Sequence, residues 1–176
     1  YRSGGLTKYA FDLMKAQVND GHEVLALWPG QIKSYSSQPK VRERKKVEGI
    51  RSLELINPLP VPLDEGIADF DAFTKRCDVS RYIALLKREK PDVIHIHTLM
   101  GLHSEFIQAA NQCKIRVVMT SHDYFGICPK VTLYRYGECC DDDKGCTNCI
   151  QCNLASLSLK KIQILQSPLY RWIKDT

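Results

Sequence analysis

The chain has 176 residues, enough for one domain or slightly more, and 44% of them are hydrophobic, enough for a sizeable core. No apolar run approaches the roughly 20 residues that span a bilayer, and the opening Tyr1-Arg2-Ser3-Gly4-Gly5 reads neither as a signal peptide nor as a natural start. A net charge of +5 permits contact with phosphates or an anionic membrane surface, but a solvated surface explains it equally well.

Gly4-Gly5 leads into a helix expected over 6–20, with Leu6, Tyr9, Ala10, Leu13 and Met14 on one face. Asn19-Asp20-Gly21 stops it. The run Val24-Leu25-Ala26-Leu27-Trp28 suits a parallel strand buried on both faces and ended by Pro29-Gly30. Residues 31–49 are polar, include the basic run Lys40 to Lys46, and read as a loop or exposed hairpin. Ile50 to Asn57 is a strand, and 66–76 is an ambiguous helix. Asp78 or Ser80 caps the next helix, where Val79, Tyr82, Ile83 and Leu86 share a face. Pro91 closes that helix, and strands follow at Val93 to His97 and Arg116 to Ser121. Between these two strands, Ser104 to Gln112 is a helix. Residues 124–152 form a long cysteine-bearing loop, and the chain from Asn153 onward is helical with a break at Pro168.

Strands alternating with helices predict an α/β domain with a Rossmann-like, doubly wound parallel sheet. A glycine loop entering a helix normally follows the first, central strand of such a sheet. That strand is therefore expected upstream of Tyr1, between the strands at 22–28 and 93–97. With the order 3-2-1-4-5, Gly4-Gly5, His97-Thr98 and His122-Asp123 then converge at the C-terminal sheet edge, where open α/β sheets bind ligands.

Gly4-Gly5 is able to bring backbone N–H groups to a diphosphate at a helix N-terminus, although such a pair is commonly just a turn. His95 and His97 share one face of their strand. Mid-strand His95 reads as a hydrogen-bonded core residue, whereas His97 and especially His122, at strand ends, read as ligand contacts. No nucleophile–base arrangement accompanies His122. The basic run reads as a solvated loop rather than a membrane contact.

Eight cysteines are present. Cys77 and Cys113 fall at helix ends and read as core. The other six lie between 128 and 152. In a reducing compartment they favour metal-held thiolates over disulfides. Two other classes fit less well. A metal-knuckle interaction module that binds nucleic acid lacks support, because "CTNCIQC" has no interleaved basic and aromatic residues. A Rossmann dehydrogenase lacks G-x-G-x-x-G, and Trp28-Pro29 stands where an acidic residue is wanted.

The stretches "GGLTKYAFDLMKAQVNDGHEVLALWPG", "KPDVIHIHTLMGLHSEFIQAANQCKIRVVMTSHDY" and "CPKVTLYRYGECCDDDKGCTNC" resemble the N-terminal half of the GT-B glycosyltransferases, specifically glycosyltransferase family 4. The resemblance implies that 1–176 is a single acceptor-side domain, with a cysteine-rich insertion at 124–152, facing a nucleotide-binding domain absent here. It implies a retaining transfer from a nucleotide-sugar donor to a glycan or lipid-linked acceptor in cell-surface polysaccharide synthesis. Gly4 and Gly5 would approach the donor phosphates, His122 would contact the donor sugar beside the reacting carbon, and His97, Thr98 and Asp123 would line the acceptor side. No catalytic metal is implied. A structural zinc on Cys128, Cys140, Cys146 and Cys149 is the ligand set implied for the loop, with Cys139 and Cys152 as substitutes. The pairing Cys128–Cys140 and Cys146–Cys149 as disulfides, or an iron–sulfur cluster, stays open. The expected location is cytoplasmic, with peripheral contact at the inner membrane face, and no nucleic-acid partner is expected.

Overall fold

A computed structural model describes residues 4–33, 38–62, 66–135, 137–141, 149–154 and 156–175. Its strands form three sheets. In the first, β1 (Leu25–Pro29) runs parallel to β3 (Ile50–Ile56), with Leu27 opposite Leu53. β2 (Lys40–Val47) adds antiparallel to the other edge of β3. In the second, β4 (Val93–Ile96) runs parallel to β5 (Arg116–Met119), with Ile96 opposite Met119. The architecture is mixed α/β with parallel strand pairs. It departs from an all-parallel single sheet in two ways. β2 makes the first sheet mixed, and among the described residues no strand bridges β1 to β4.

Expected as a loop or hairpin, 31–49 contributes β2 through a two-residue turn. Glu48 and Gly49 both have positive φ, the geometry that matches hairpin twist. The basic run of β2 is also held from the side. Glu54 of β3 is fully buried, and it accepts from Arg42 Nη2 at 2.6 Å and lies 3.2 Å from Arg44 Nε. Its Oε1 accepts from the backbone N–H of Gln31 at 3.2 Å. Two of the basic side chains are thus consumed by one carboxylate. Lys45 and Lys46 remain exposed.

The core lies between the strands and two helices, α3 (Val79–Glu89) and α4 (Ser104–Gln112). Asp78 caps α3 by accepting from the Ser80 N–H at 2.9 Å. Leu53 and Leu55 of β3 join Tyr82, Leu85 and Leu86 of α3 with Phe106, Ala109 and Ala110 of α4 in one buried cluster. Leu25, Leu27, Ile94 and Val117 pack against it from β1, β4 and β5, so both parallel pairs rest on the same helical layer. Cys77 and Cys113 pack there too, as expected. The cluster ends in a polar pair absent from the sequence reading. Tyr82 Oη and His103 Nδ1 lie 2.9 Å apart, and both residues are buried.

The first helix, α1 (Gly5–Asn19), buries none of its residues. Its apolar stripe is therefore only half-covered, and Tyr9 is 47% exposed. The five residues of β1, expected to be buried on both faces, are likewise intermediate. Both exposures have one cause. Among the described residues β1 pairs only with β3, so one of its edges carries no strand, and α1 has little sheet to cover.

The ambiguous helix at 66–76 is a single turn, α2 (Phe70–Phe73). The cysteine-bearing segment contains a short hairpin of β6 (Tyr134–Arg135) and β7 (Glu138–Cys139), then α5 (Cys149–Asn153). α6 (Leu159–Leu165) and α7 (Pro168–Asp175) follow, with Pro168 at the first helical position. The Gln166 carbonyl accepts from Ile32 N–H and its side chain from Val61 N–H, which ties this end of the chain to the loops after β1 and β3. Among the described residues no helix is long and apolar enough to cross a membrane.

Candidate functional site

β4 and β5 end side by side, and each hands a histidine to the same spot. His97 follows Ile96, and His122 comes three residues after Met119. His97 Nδ1 lies 3.1 Å from His122 Nε2. His95, two residues back on the same strand face, stacks on His97 with ring centroids 4.2 Å apart. Its Nε2 meets Thr120 Oγ1 at 2.8 Å, the hydrogen bond expected of a structural histidine.

A cleft of about 180 Å³ opens at this point, lined by His97, Thr98, His122 and Asp123 together with Met119, Ser121 and residues 124–127. Four of the predicted site residues thus share one wall. The cleft is below the roughly 300 Å³ at which small-molecule pockets begin, so this wall alone does not enclose a sugar nucleotide.

Thr98 and Asp123 also hold the loops that shape the cleft. Thr98 Oγ1 accepts from Met100 N–H at 3.1 Å, and Asp123 Oδ1 accepts from Phe125 N–H at 3.0 Å. Both turns are local side-chain-to-backbone bonds of the kind that Asp and Thr favour.

Gly4 and Gly5 open α1. Gly4 has φ −91, and a Cβ on either glycine would meet nothing within 4 Å. Nothing within the described chain requires glycine there, so the space around both is open to a ligand. One helical turn later, Tyr9 packs edge-on against His122 at 4.9 Å and against His97 at 5.9 Å between centroids. The glycine entry and the histidine pair are therefore joined through Tyr9. Periodicity places Tyr9 on the apolar stripe of this helix but does not show which end of the stripe faces a cleft.

The predicted metal ligands are not drawn together in the same way. Cys128 and Cys140 are half-buried, Cys149 begins α5, and Cys146 lies outside the described residues. Among the described residues no cysteine is in a disulfide, and no three of His, Cys, Asp and Glu converge as a metal-binding group.

Burial, then the neighbouring His95 and His122, push the His97 pKa down, and burial does the same to His103. Both are thus harder to protonate in the folded state than in the unfolded chain, where histidine titrates near about 6.5. The unfolded chain binds more protons in that window. Stability is full above about pH 6.5 and falls as pH drops through the depressed folded values. Thermal melts between pH 7.5 and 5 should therefore show a falling Tm on acidification. A rising Tm contradicts this assignment.

Residues 3–138 match the family described as Glycosyltransferase Family 4. A 48-residue stretch is 42% identical to an "Uncharacterized 42.6 kDa protein in cps region" of Klebsiella pneumoniae, covering 27% of this chain and 13% of that protein. No solved structure matches.

Proposed function

This chain belongs to glycosyltransferase family 4, and from that membership we propose that it forms the acceptor-side domain of a retaining glycosyltransferase acting in cell-surface polysaccharide synthesis. The observation that carries the reading is the cleft itself, where the ends of two parallel strands bring His97, Thr98, His122 and Asp123 to one wall beside the entry of α1. The cps-region protein adds support for a polysaccharide context. The domain is read as one half of a doubly wound GT-B fold, with the first strand filling the break between β1 and β4.

In this reading the reaction is run by placement and charge. The donor diphosphate meets the N–H groups that open α1 at Gly4 and Gly5. The acceptor, a glycan or lipid-linked glycan, lies against Thr98 and Asp123. As the bond from anomeric carbon to diphosphate loosens, positive charge grows on the sugar and negative charge on the leaving phosphate. His122 contacts the donor sugar beside that carbon, and fixed polar groups stabilise the separating charges without reorganising. Holding the acceptor hydroxyl in line removes the entropic cost of encounter. No step needs a metal. The enzyme is assigned to the cytoplasm, with peripheral contact at the inner face of the membrane.

The test is release of nucleoside diphosphate from a panel of UDP-, GDP- and dTDP-sugars by the complete protein and by residues 1–176 alone. Turnover by the complete protein and none by the 176-residue chain is the expected result, since this wall does not enclose the donor. Robust turnover by the shorter chain contradicts the two-domain reading.

The cysteine loop is assigned a structural zinc on Cys128, Cys140, Cys146 and Cys149, which shapes the cleft without touching substrate. Its support is the chemistry of the cysteines alone, because Cys128, Cys140 and Cys149 do not converge in the structure and Cys146 lies outside the described residues. Protein purified under reducing conditions should carry about one zinc, and chelation should expose about four thiols. Absence of metal together with fully reactive thiols contradicts the assignment.

A further inference from the structure

We propose that His97 is a positioning residue for His122, binding its Nε2 so that one tautomer is fixed and Nδ1 is the nitrogen presented to substrate. The proposal rests on the reading of the cleft as a glycosyl-transfer site.

A neutral imidazole has one donor and one acceptor nitrogen. His97 Nδ1 and His122 Nε2 face each other at 3.1 Å, so one must donate and the other accept. Two rings with hydrogens on both facing nitrogens repel, and two with neither form no bond. The tautomers of the two residues are therefore complementary: the pair has two matched states, and the proposal is that the site holds one of them. Among the described residues His122 Nδ1 has no hydrogen-bond partner, so it is the ring atom left for a ligand.

Packing holds the pair in that geometry. The ring planes of His97 and His122 are 34° apart with centroids at 5.4 Å. Tyr9 of α1 lies edge-on to both, and His95 stacks behind His97 from β4. His95 is itself fixed by Thr120, at the end of β5. The titratable or charged groups around the pair are His95, Tyr9 and Asp123. The Asp123 carboxylate is engaged by the Phe125 N–H, and the neighbours that act on His97 are two imidazoles. The contact survives one added proton and is lost only when both rings carry one.

The two replacements that separate this role from bulk are His97→Asn and His97→Phe. The asparagine amide offers a donor or acceptor close to the place of Nδ1 and does not titrate. Phenylalanine keeps the ring and offers neither. The complete protein, labelled with 15N-histidine, is followed by long-range proton–nitrogen NMR from pH 5.5 to 8, with kcat and KM measured for the same variants. The expected result is a single His122 tautomer in wild type and a tautomer mixture in His97→Phe, with His97→Asn keeping the hydrogen bond because its amide pairs with either tautomer. His97→Phe should lower kcat about 10-fold, the order expected from one lost hydrogen bond, with donor KM little changed. His97→Asn should recover most of that loss and flatten the acid limb of the pH profile. A tautomer mixture in wild-type His122 at neutral pH overturns the proposal with no variant needed, as does an unchanged tautomer in His97→Phe. If the tautomers behave as expected but no sugar nucleotide is turned over by wild type, the glycosyl-transfer reading fails and the pairing of the two rings stands.

Discussion

Replacing His122 with alanine in the complete protein is expected to lower kcat on the order of 100-fold while leaving acceptor KM nearly unchanged. His122 lies at the end of β5 on the cleft wall, with Nε2 held by His97 and Nδ1 unengaged by the described chain. A group poised this way interacts most strongly as charge separates, so its loss is felt in the transition state more than in binding. His95→Ala is the control. That ring is bonded to Thr120 within the strand pair, so its removal should lower Tm and leave kcat much less affected. Steady-state kinetics and thermal melts on both variants separate the two roles. An unchanged kcat in His122→Ala removes this residue from the reaction.

The largest expected effect on stability comes from Gly30→Ala. Gly30 is buried just after β1, and a Cβ there would overlap the Glu54 side chain at Cγ and Oε1. Glu54 has nowhere else to go. It is fully buried, held by Arg42, Arg44 and the Gln31 N–H, and opposite Arg42 in the β2–β3 register. Overpacking alone costs about 1–3 kcal/mol, and breaking a buried ion pair costs about 3–5 kcal/mol. A loss of about 3 kcal/mol is expected, or roughly 6–12 °C in Tm for a domain of this size. Denaturant and thermal unfolding of the wild-type and variant proteins measure it. A loss under about 1 kcal/mol would mean that Glu54 has another low-energy place, against the packing described.

Where local chemistry decides, the sequence was readable. α4 runs over Ser104–Gln112 as expected, and α3 starts at the Asp78 cap, because caps and periodicity act within a few residues. The meeting of His97 and His122 was also legible, since parallel strands end together and 25 residues of connection cannot change that. What was lost is non-local. Of the two readings of the polar run Lys40 to Lys46, loop or exposed hairpin, the hairpin holds because β3 offers an edge and Glu54 absorbs Arg42 and Arg44. Glu54 itself, amid Leu53 and Leu55, reads as a solvent-facing strand residue, and nothing in the chain order shows two arginines waiting for it. Tyr9 sits on a regular helical stripe, yet only the tertiary position of α1 turns it onto the histidines. His103 has no motif at all. Its partner Tyr82 is on another helix, and neither residue type signals the pair.

The proposed reaction passes a sugar from nucleotide to acceptor at the ends of β4 and β5 with its configuration kept. The most direct measurement is proton NMR of the product anomeric centre, made with the complete protein, an α-linked sugar nucleotide and a lipid-linked glycan acceptor. The account predicts an α-linked product that accumulates with wild type and is strongly reduced with His122→Ala. A β-linked product, or transfer undiminished by His122→Ala, would contradict it.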